Sequence, residues 1–322
     1  MGRDVGPLGT LGKLRSSVRA FTRELTRVST PVFEVPAPKR PKLGIALGGG
    51  FARGLAHIGI LKVLEEEQIP VDFVAGTSVG AVIGAAYCSG LSAAELEEMA
   101  GTVRFSDFAR WTLSRYGFAS NIRMAGFLKR VVQARTFEDL KVPLAVTATD
   151  FQTGDGVVFS SGPLIDPIRA SCAYPGMFLP VQINGRLLID GMLAHTLPTA
   201  PLREMGADRV LGVYLKSHWC APTGPKHIFE VIGQCFSIAQ SRISATCRSA
   251  ADLTIEPEVC GIPYDGFDRA PQLIAAGEAV ARAALPEIRA WFGLPSPSTA
   301  PAVVAAPQIG AGPAPEASIA GD

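Results

Sequence analysis

Two short runs in this chain hold residue types that together can break an ester. The first is Gly-Thr-Ser-Val-Gly, Gly76 to Gly80. Glycines two residues either side of a serine permit a tight strand-to-helix turn that lifts the hydroxyl clear of a sheet and sets it over a helix N-terminus. Backbone N–H groups there favour negative charge on the attacking oxygen. The second run is Gly48-Gly49-Gly50-Phe51-Ala52-Arg53-Gly54. Glycines in series between a strand and a helix expose N–H groups that stabilise a phosphate or an oxyanion. The run fails as a dinucleotide fingerprint. Counted from Gly48, the third glycine of G-x-G-x-x-G falls on Arg53, and Gly54 comes one residue late. It also lacks the Gly-Lys-Ser/Thr of a P-loop. Next to a serine turn it reads as an oxyanion hole, with Gly48, Gly49 and Gly50 as candidate donors. Arg53 either braces this loop or meets an anionic head group.

A serine nucleophile needs a base. Asp190 ends the apolar run Arg-Leu-Leu-Ile and is followed by Gly191, so a turn there can carry its carboxylate to a neighbouring site. A turn aspartate that caps its own backbone has the same sequence appearance. Asp150 also ends a strand-like run and competes on position alone, whereas Asp72 precedes a strand and reads as structural. His195, His218 and His227 follow Asp190 in chain order, but His195 is too close to it for a separate loop. His57 lies within a helical run and reads as packed there. His218 and His227 qualify by order, but no histidine clearly completes a triad.

The elements needed to position these residues can be read around them. "KLGIAL" is a short apolar strand, the glycine loop follows, and "LAHIGILKVLEEE" has helical periodicity. "VDFVA" is a second strand and "AVIGAAYCSG" a helix closed by Gly90. This alternation calls for a parallel sheet with crossover helices. Phe73 to Leu91 holds no charge and is long enough for a membrane span. Gly76, Gly80, Gly84 and Gly90 punctuate it, and a strand–serine–helix unit accounts for them better. Residues 92–140, rich in aromatics, read as helical. "VPLAVTATD" and "VVFSS" are strands, "LIDPIRASCAY" a short helix, and Asn184-Gly185 marks a hairpin. A helix at 198–207, a strand at 208–215, a long helix at 226–249, a strand at 251–257 and a helix at 271–292 follow.

The chain has 322 residues and a net charge of +1, so it is not a polyanion binder as a whole. Residues 1–42 nevertheless carry nine Lys or Arg against three acids, leaving the remainder at −5. Leu11, Leu14, Val18, Phe21, Leu25 and Val28 recur at helical steps, with most cations off that stripe. Such a basic amphipathic helix over 11–28 either docks on the body or lies on an anionic bilayer. Residues 1–41 are thus expected to form an arm and Pro-rich linker, 42–293 the catalytic domain, and 294–322 a disordered Ala/Pro-rich tail. Six cysteines without C-x-x-C and four histidines without metal spacing suggest no zinc site. The expected setting is cytoplasmic, with peripheral contact at the inner face of the membrane.

"GGGFARGLAHIGIL", "GTSVG" and the pair Asp190-Gly191, in this order, resemble a patatin-like phospholipase of bacterial type. The resemblance runs from Lys42 to Leu215 and extends to "VPLAVTATDFQTGDGVVFSSGP", "IRASCAYPGMFLP" and "INGRLLIDGM". It implies a three-layer α/β/α, Rossmann-like hydrolase with a mostly parallel central sheet. It further implies a Ser–Asp dyad without a catalytic histidine, cleaving acyl esters of lipids of the phospholipase A or lysophospholipase type. By position, Ser78 is then the nucleophile and Asp190 the base, while Gly48, Gly49 and Gly50 supply oxyanion N–H groups. Arg53, Gly76, Gly80 and Gly191 support them. No metal or organic cofactor and no nucleic acid is implied, and the partner is a lipid substrate. The sequence departs from the family at Met192, where Gly or Ala is usual, at His195, where Asn is frequent, and at Phe51, where a small residue stands. The alternative is a lipid-binding or regulatory protein with an impaired site.

Overall fold

A computed structural model describes residues 40–295, apart from 109, 115–116, 121 and 217–227. The amphipathic stretch 11–28, all but the first two residues of the 294–322 tail, and His218 and His227 lie outside the described residues.

Strand β1, Leu43–Leu47, is buried along its whole length, as a central parallel strand covered on both faces must be. The glycine loop and a 3-10 turn, Phe51–Leu55, lead into helix α1, Ala56–Glu66. Strand β2, Phe73–Thr77, passes through Ser78 directly into helix α2, Val79–Cys88, which Gly90 closes at φ 112°. Residues 73–91 are thus strand, turn and helix, and not a span. Helix α3, Ala93–Ala100, begins on a capping box made by Ser92 and Glu95.

The segment after α3 departs from the helical expectation. Strands β3, Arg110–Ser114, and β4, Gly117–Ser120, form an antiparallel hairpin before helix α4, Ile122–Val131. Trp111 and Leu113 alternate with Thr112 and Ser114, a period of two that an aromatic-rich window read as helix conceals. Strand β5, Leu144–Asp150, strand β6, Gly156–Phe159, and helix α5, Ile165–Ser171, come next. Strands β7, Val181–Ile183, and β8, Arg186–Asp190, are joined by Asn184 and Gly185, both at positive φ as a tight hairpin requires. The described fold ends with helix α6, Thr199–Glu204, strand β9, Arg209–Val213, helix α7, Ile228–Ser249, strand β10, Leu253–Ile255, and helix α8, Ala270–Trp291.

Eight strands make one sheet in the order β10-β9-β1-β2-β5-β8-β7, with β6 also on β5. The first five are mutually parallel, while β6 and β8 run antiparallel to β5. Alternation along the strands sends side chains to two layers. Leu43, Ile45, Leu47 and Val74 face the larger cluster with Leu61 of α1 and Leu273 of α8. Ala46, Ala75 and Ala145 face Leu202 of α6 and Val210 in a smaller one. The result is a three-layer α/β/α sandwich with a mostly parallel sheet.

The pairing registers fix one further point. Strand β6 pairs with residues 146–149 of β5, β2 with 144–147 and β8 with 148–150. A residue has two edges, so β2 and β8 must share the edge opposite β6. They approach each other head-on, and their C-terminal ends meet between Thr147 and Ala148.

Helices α1 and α8 cross in near backbone contact. A Cβ built on Gly59 would lie 2.0 Å from the Ile274 carbonyl oxygen, and one on Gly277 would lie 1.9 Å from that of Ala56. Backbone obstructs both, so no side chain can yield. Gly277→Ala is expected to destabilise the fold by about 1–3 kcal/mol, toward the upper end. A urea midpoint equal to that of the wild type would contradict this crossing.

Candidate active site

Ser78 stands where β2 becomes α2, with φ 55° and ψ −123°. That region is rarely adopted by a side-chain-bearing residue. It is held because the chain around it is packed to backbone contact. A Cβ on Gly76 would fall 2.5 Å from Ala81 Cα, and one on Gly80 would fall 2.2 Å from the Leu47 carbonyl oxygen. The Ser78 N–H donates to Ser171 Oγ of α5 at 2.7 Å. Ser171 is fully buried, and nothing in the spacing of the sequence pointed to it.

Because β2 and β8 end on the same edge, Ser78 and Asp190 face each other across the joint. Ser78 Oγ donates to Asp190 Oδ2 at 2.8 Å, and the Met192 N–H donates to Asp190 Oδ1 at 2.9 Å. Three threonine bonds close the joint. Thr77 Oγ1 lies 2.7 Å from Thr147 Oγ1 and donates to the His195 carbonyl at 2.9 Å, and Thr149 Oγ1 donates to the Asp190 carbonyl at 2.9 Å. Asp190 is almost wholly buried, and burial pushes its carboxyl up to about 7 against the two hydrogen bonds that favour the anion. Gly191 opens the following 3-10 turn, where a Cβ would strike the Thr147 carbonyl oxygen at 2.4 Å.

The glycine loop borders the same serine. A Cβ on Gly49 would lie 3.2 Å from Ser78 Cβ and 2.4 Å from Met192 Sδ, so the Met192 side chain covers the loop while its N–H holds the Asp190 carboxylate. The Gly48 N–H donates to the Val213 carbonyl at 3.1 Å and is therefore used within the sheet. Among the described residues the Gly49 and Gly50 N–H groups take no such bond. This narrows the expected three loop donors to two. His57, fully buried, lies with Nε2 2.8 Å from the Gly48 carbonyl. A carbonyl can only accept, so Nε2 carries the proton. Burial holds the imidazole down at about 4, which keeps it neutral. His57 thus props the loop, a role beyond the packing expected of it.

The remaining candidates separate cleanly. Arg53 braces the loop: its Nε donates to the Ile262 carbonyl at 2.9 Å and its guanidinium stacks 4.3 Å over the Tyr264 ring. Asp150 takes Arg186 at 2.7 Å and caps its own turn through the Gln152 N–H. Asp72 accepts the Leu43 N–H at 2.9 Å, as a structural residue does. The His195 ring packs on Gly156 and not on Asp190. Among the described residues no histidine hydrogen-bonds to Ser78 or Asp190, and no group of three His, Cys, Asp or Glu could hold a metal ion.

Ser78 lies in the wall of a cavity that is partly open to solvent. Phe51, Val79, Met99, Phe108, Phe127 and Phe267 line it, and Ser78 is its one hydroxyl. Phe51, where the family has a small residue, supplies part of the apolar wall, with its ring 5.3 Å from that of Tyr174. An apolar chain of a ligand fits such a space, with its polar end at the serine.

The fold and this site define an α/β protein with a buried serine–carboxylate pair beside an apolar cavity. Residues 45–203 match the family model described as patatin-like phospholipase, and through them the chain belongs to that family. An uncharacterized NTE family protein of Mycobacterium tuberculosis is 32% identical over 197 residues, covering 56% of this chain and 51% of that protein. Lysophospholipase NTE1 of Mycosarcoma maydis is 33% identical over 183 residues, covering 53% of this chain and 9% of its own. The chain thus matches about half the length of the first relative and a small part of the second. Among solved structures, VipD from Legionella pneumophila aligns with a TM-score of 0.46 at 13% identity, covering 75% of this chain and 68% of that one. No helix among the described residues is long and apolar enough to cross a membrane.

The raised Asp190 carboxyl has a consequence for stability. In the unfolded chain it titrates near 3.8 and in the fold near 7, so between those values the folded chain holds more protons. Stability is then greatest below about pH 4 and falls as pH rises to about 7, by on the order of 4 kcal/mol from this group alone. Asp190→Asn removes the charge and keeps an acceptor for Met192. It is expected to melt several degrees above the wild type at pH 8 and to lose that advantage near pH 4. A variant no more stable at pH 8 would mean that burial of this carboxylate carries no such penalty.

Proposed function

We propose that the chain is a serine acyl hydrolase that cleaves ester bonds of lipids, of the phospholipase A or lysophospholipase type, through an acyl-enzyme. One observation carries this reading: Ser78 Oγ donates to the buried Asp190 carboxylate at 2.8 Å, beside a cavity walled by apolar side chains. Membership of the patatin-like phospholipase family and a relative named as a lysophospholipase support it.

The geometry suits two displacements. An acyl chain lies in the cavity and brings its ester carbonyl to Ser78. As Oγ bonds to the carbonyl carbon, Asp190 accepts the hydroxyl proton. The tetrahedral oxyanion falls to the unbonded Gly49 and Gly50 N–H groups, near the positive end of α2. Asp190 returns the proton to the departing alkoxide, leaving an acyl-serine. Water then gives a proton to Asp190 and attacks the acyl carbon, and Ser78 is released with its proton restored. A base with its titration held near neutral is matched to accepting and returning a proton. His57 and Arg53 serve the loop and take no proton in this scheme.

Ser78→Ala is expected to lose ester turnover and labelling by a fluorophosphonate probe, and Asp190→Asn to lower turnover about 10²–10⁴-fold. For the wild type, kcat/KM should rise with pH up to about 7 and then level, since the base works only when ionised. A panel of phospholipids, lysophospholipids and short esters at pH 8 provides the substrates. A wild-type chain that takes up no probe and turns over none of them would sink the hydrolase reading in favour of a lipid-binding protein.

A further inference from the structure

Residues 104–135 carry seven Lys or Arg and one acid, Asp107, a net charge of +6. The rest of the chain from residue 43 onward is then −11. This cationic segment therefore interrupts an acidic body, and it also contributes Phe108, Met124, Phe127 and Val131 to the cavity wall. Helix α4 has no acid. Its inner face places Met124, Phe127 and Val131 on the cavity. Its outer face, one continuous stripe at helical spacing, presents Ile122, Arg123, Lys129 and Arg130 to solvent, with Ile122 71% exposed.

Several cations elsewhere in the fold are paired. Lys62, Arg203, Arg282 and Arg289 each meet a carboxylate at 2.6–2.8 Å. Arg123, Lys129 and Arg130 form no ion pair among the described residues. Arg123 donates to the Ser106 carbonyl at 3.3 Å and Arg130 lies 5.8 Å from the centre of the Phe127 ring, contacts that leave their charges unneutralised, and like charges so close together repel until an external anion offsets them.

We propose that the outer face of α4 is a docking surface for an anionic lipid bilayer. An amphipathic helix at a bilayer ordinarily sinks its apolar face among the acyl chains. Here that face is occupied by the cavity, so contact runs through the cations, with Ile122 at the head-group level. The attachment is electrostatic and salt-sensitive. It sets the cavity wall that α4 contributes against the source of acyl chains. This deepens the hydrolase reading by naming the surface from which substrate is drawn.

The test uses the full chain and co-sedimentation with vesicles of phosphatidylcholine, with and without phosphatidylserine, at low and high salt. Binding is expected to need phosphatidylserine and to weaken at high salt. Arg123→Gln, Lys129→Gln and Arg130→Gln combined should weaken it on the order of 100-fold, at about fivefold per charge. Circular dichroism of the triple variant should match the wild type, as should its turnover of a water-soluble short-chain ester. The comparison variant, Arg15→Gln, Arg19→Gln and Arg23→Gln, neutralises the N-terminal arm. Binding that the α4 variant retains and the arm variant loses would overturn the proposal, as would equal binding to phosphatidylcholine alone. Sedimentation reads no turnover, so its failure leaves the hydrolase reading intact, and an inactive chain that binds leaves the docking surface intact.

Discussion

One edge of strand β5 serves two strands. β2 takes residues 144–147 and β8 takes 148–150 from the opposite direction, so two chain ends are driven into the same gap. Neither can continue in the plane of the sheet. β2 turns out through Ser78 at a positive φ, and β8 turns out through Asp190 into a 3-10 turn. The serine and the carboxylate meet because of where two strands must stop, although they are 112 residues apart in the chain. The buried threonines 77, 147 and 149 satisfy the polar groups that such a junction strands away from water.

Around that joint the structure holds one ionisable group in a poor environment and spends others on keeping it there. Asp190 has two hydrogen bonds and an apolar neighbourhood, and its proton affinity rises accordingly. His57 is the counterpart. It is buried as deeply, stays neutral down to acid pH, and uses its one N–H to fix the loop carbonyl. The first group binds its proton with an affinity near neutral pH, and the second stays neutral with its one N–H directed at the loop carbonyl. Such local conflict between stability and environment is characteristic of working sites in otherwise consistent folds.

Much of this was legible in the sequence because the relevant signals are local. The Gly-x-Ser-x-Gly turn, the glycine run, the Asn184-Gly185 hairpin and the apolar strands each depend on a few neighbouring residues. The hairpin at 110–120 was hidden because a period of two over so short a run is swamped by its aromatic surroundings. Ser171 and the use of the Gly48 amide were hidden for another reason. Both are contacts between segments far apart in the chain, and a lone serine or glycine carries no mark of what will be brought beside it. Asp150 and Asp190 looked alike as strand-end acids. They separate only through the register that gives Asp150 to Arg186 and Asp190 to Ser78.

The crossing of α1 and α8 ties the first described helix to the last. Helix α1 packs part of its apolar face against α8, most closely at Gly59 and Gly277, and α8 is the last of the described helices in chain order. During synthesis the nascent sheet therefore carries an unsealed surface until α8 has emerged, a state in which chains are prone to associate wrongly. Closure by so remote a contact also makes folding slow for a chain of this size. The fold behaves as a clasp that engages only when its final element arrives.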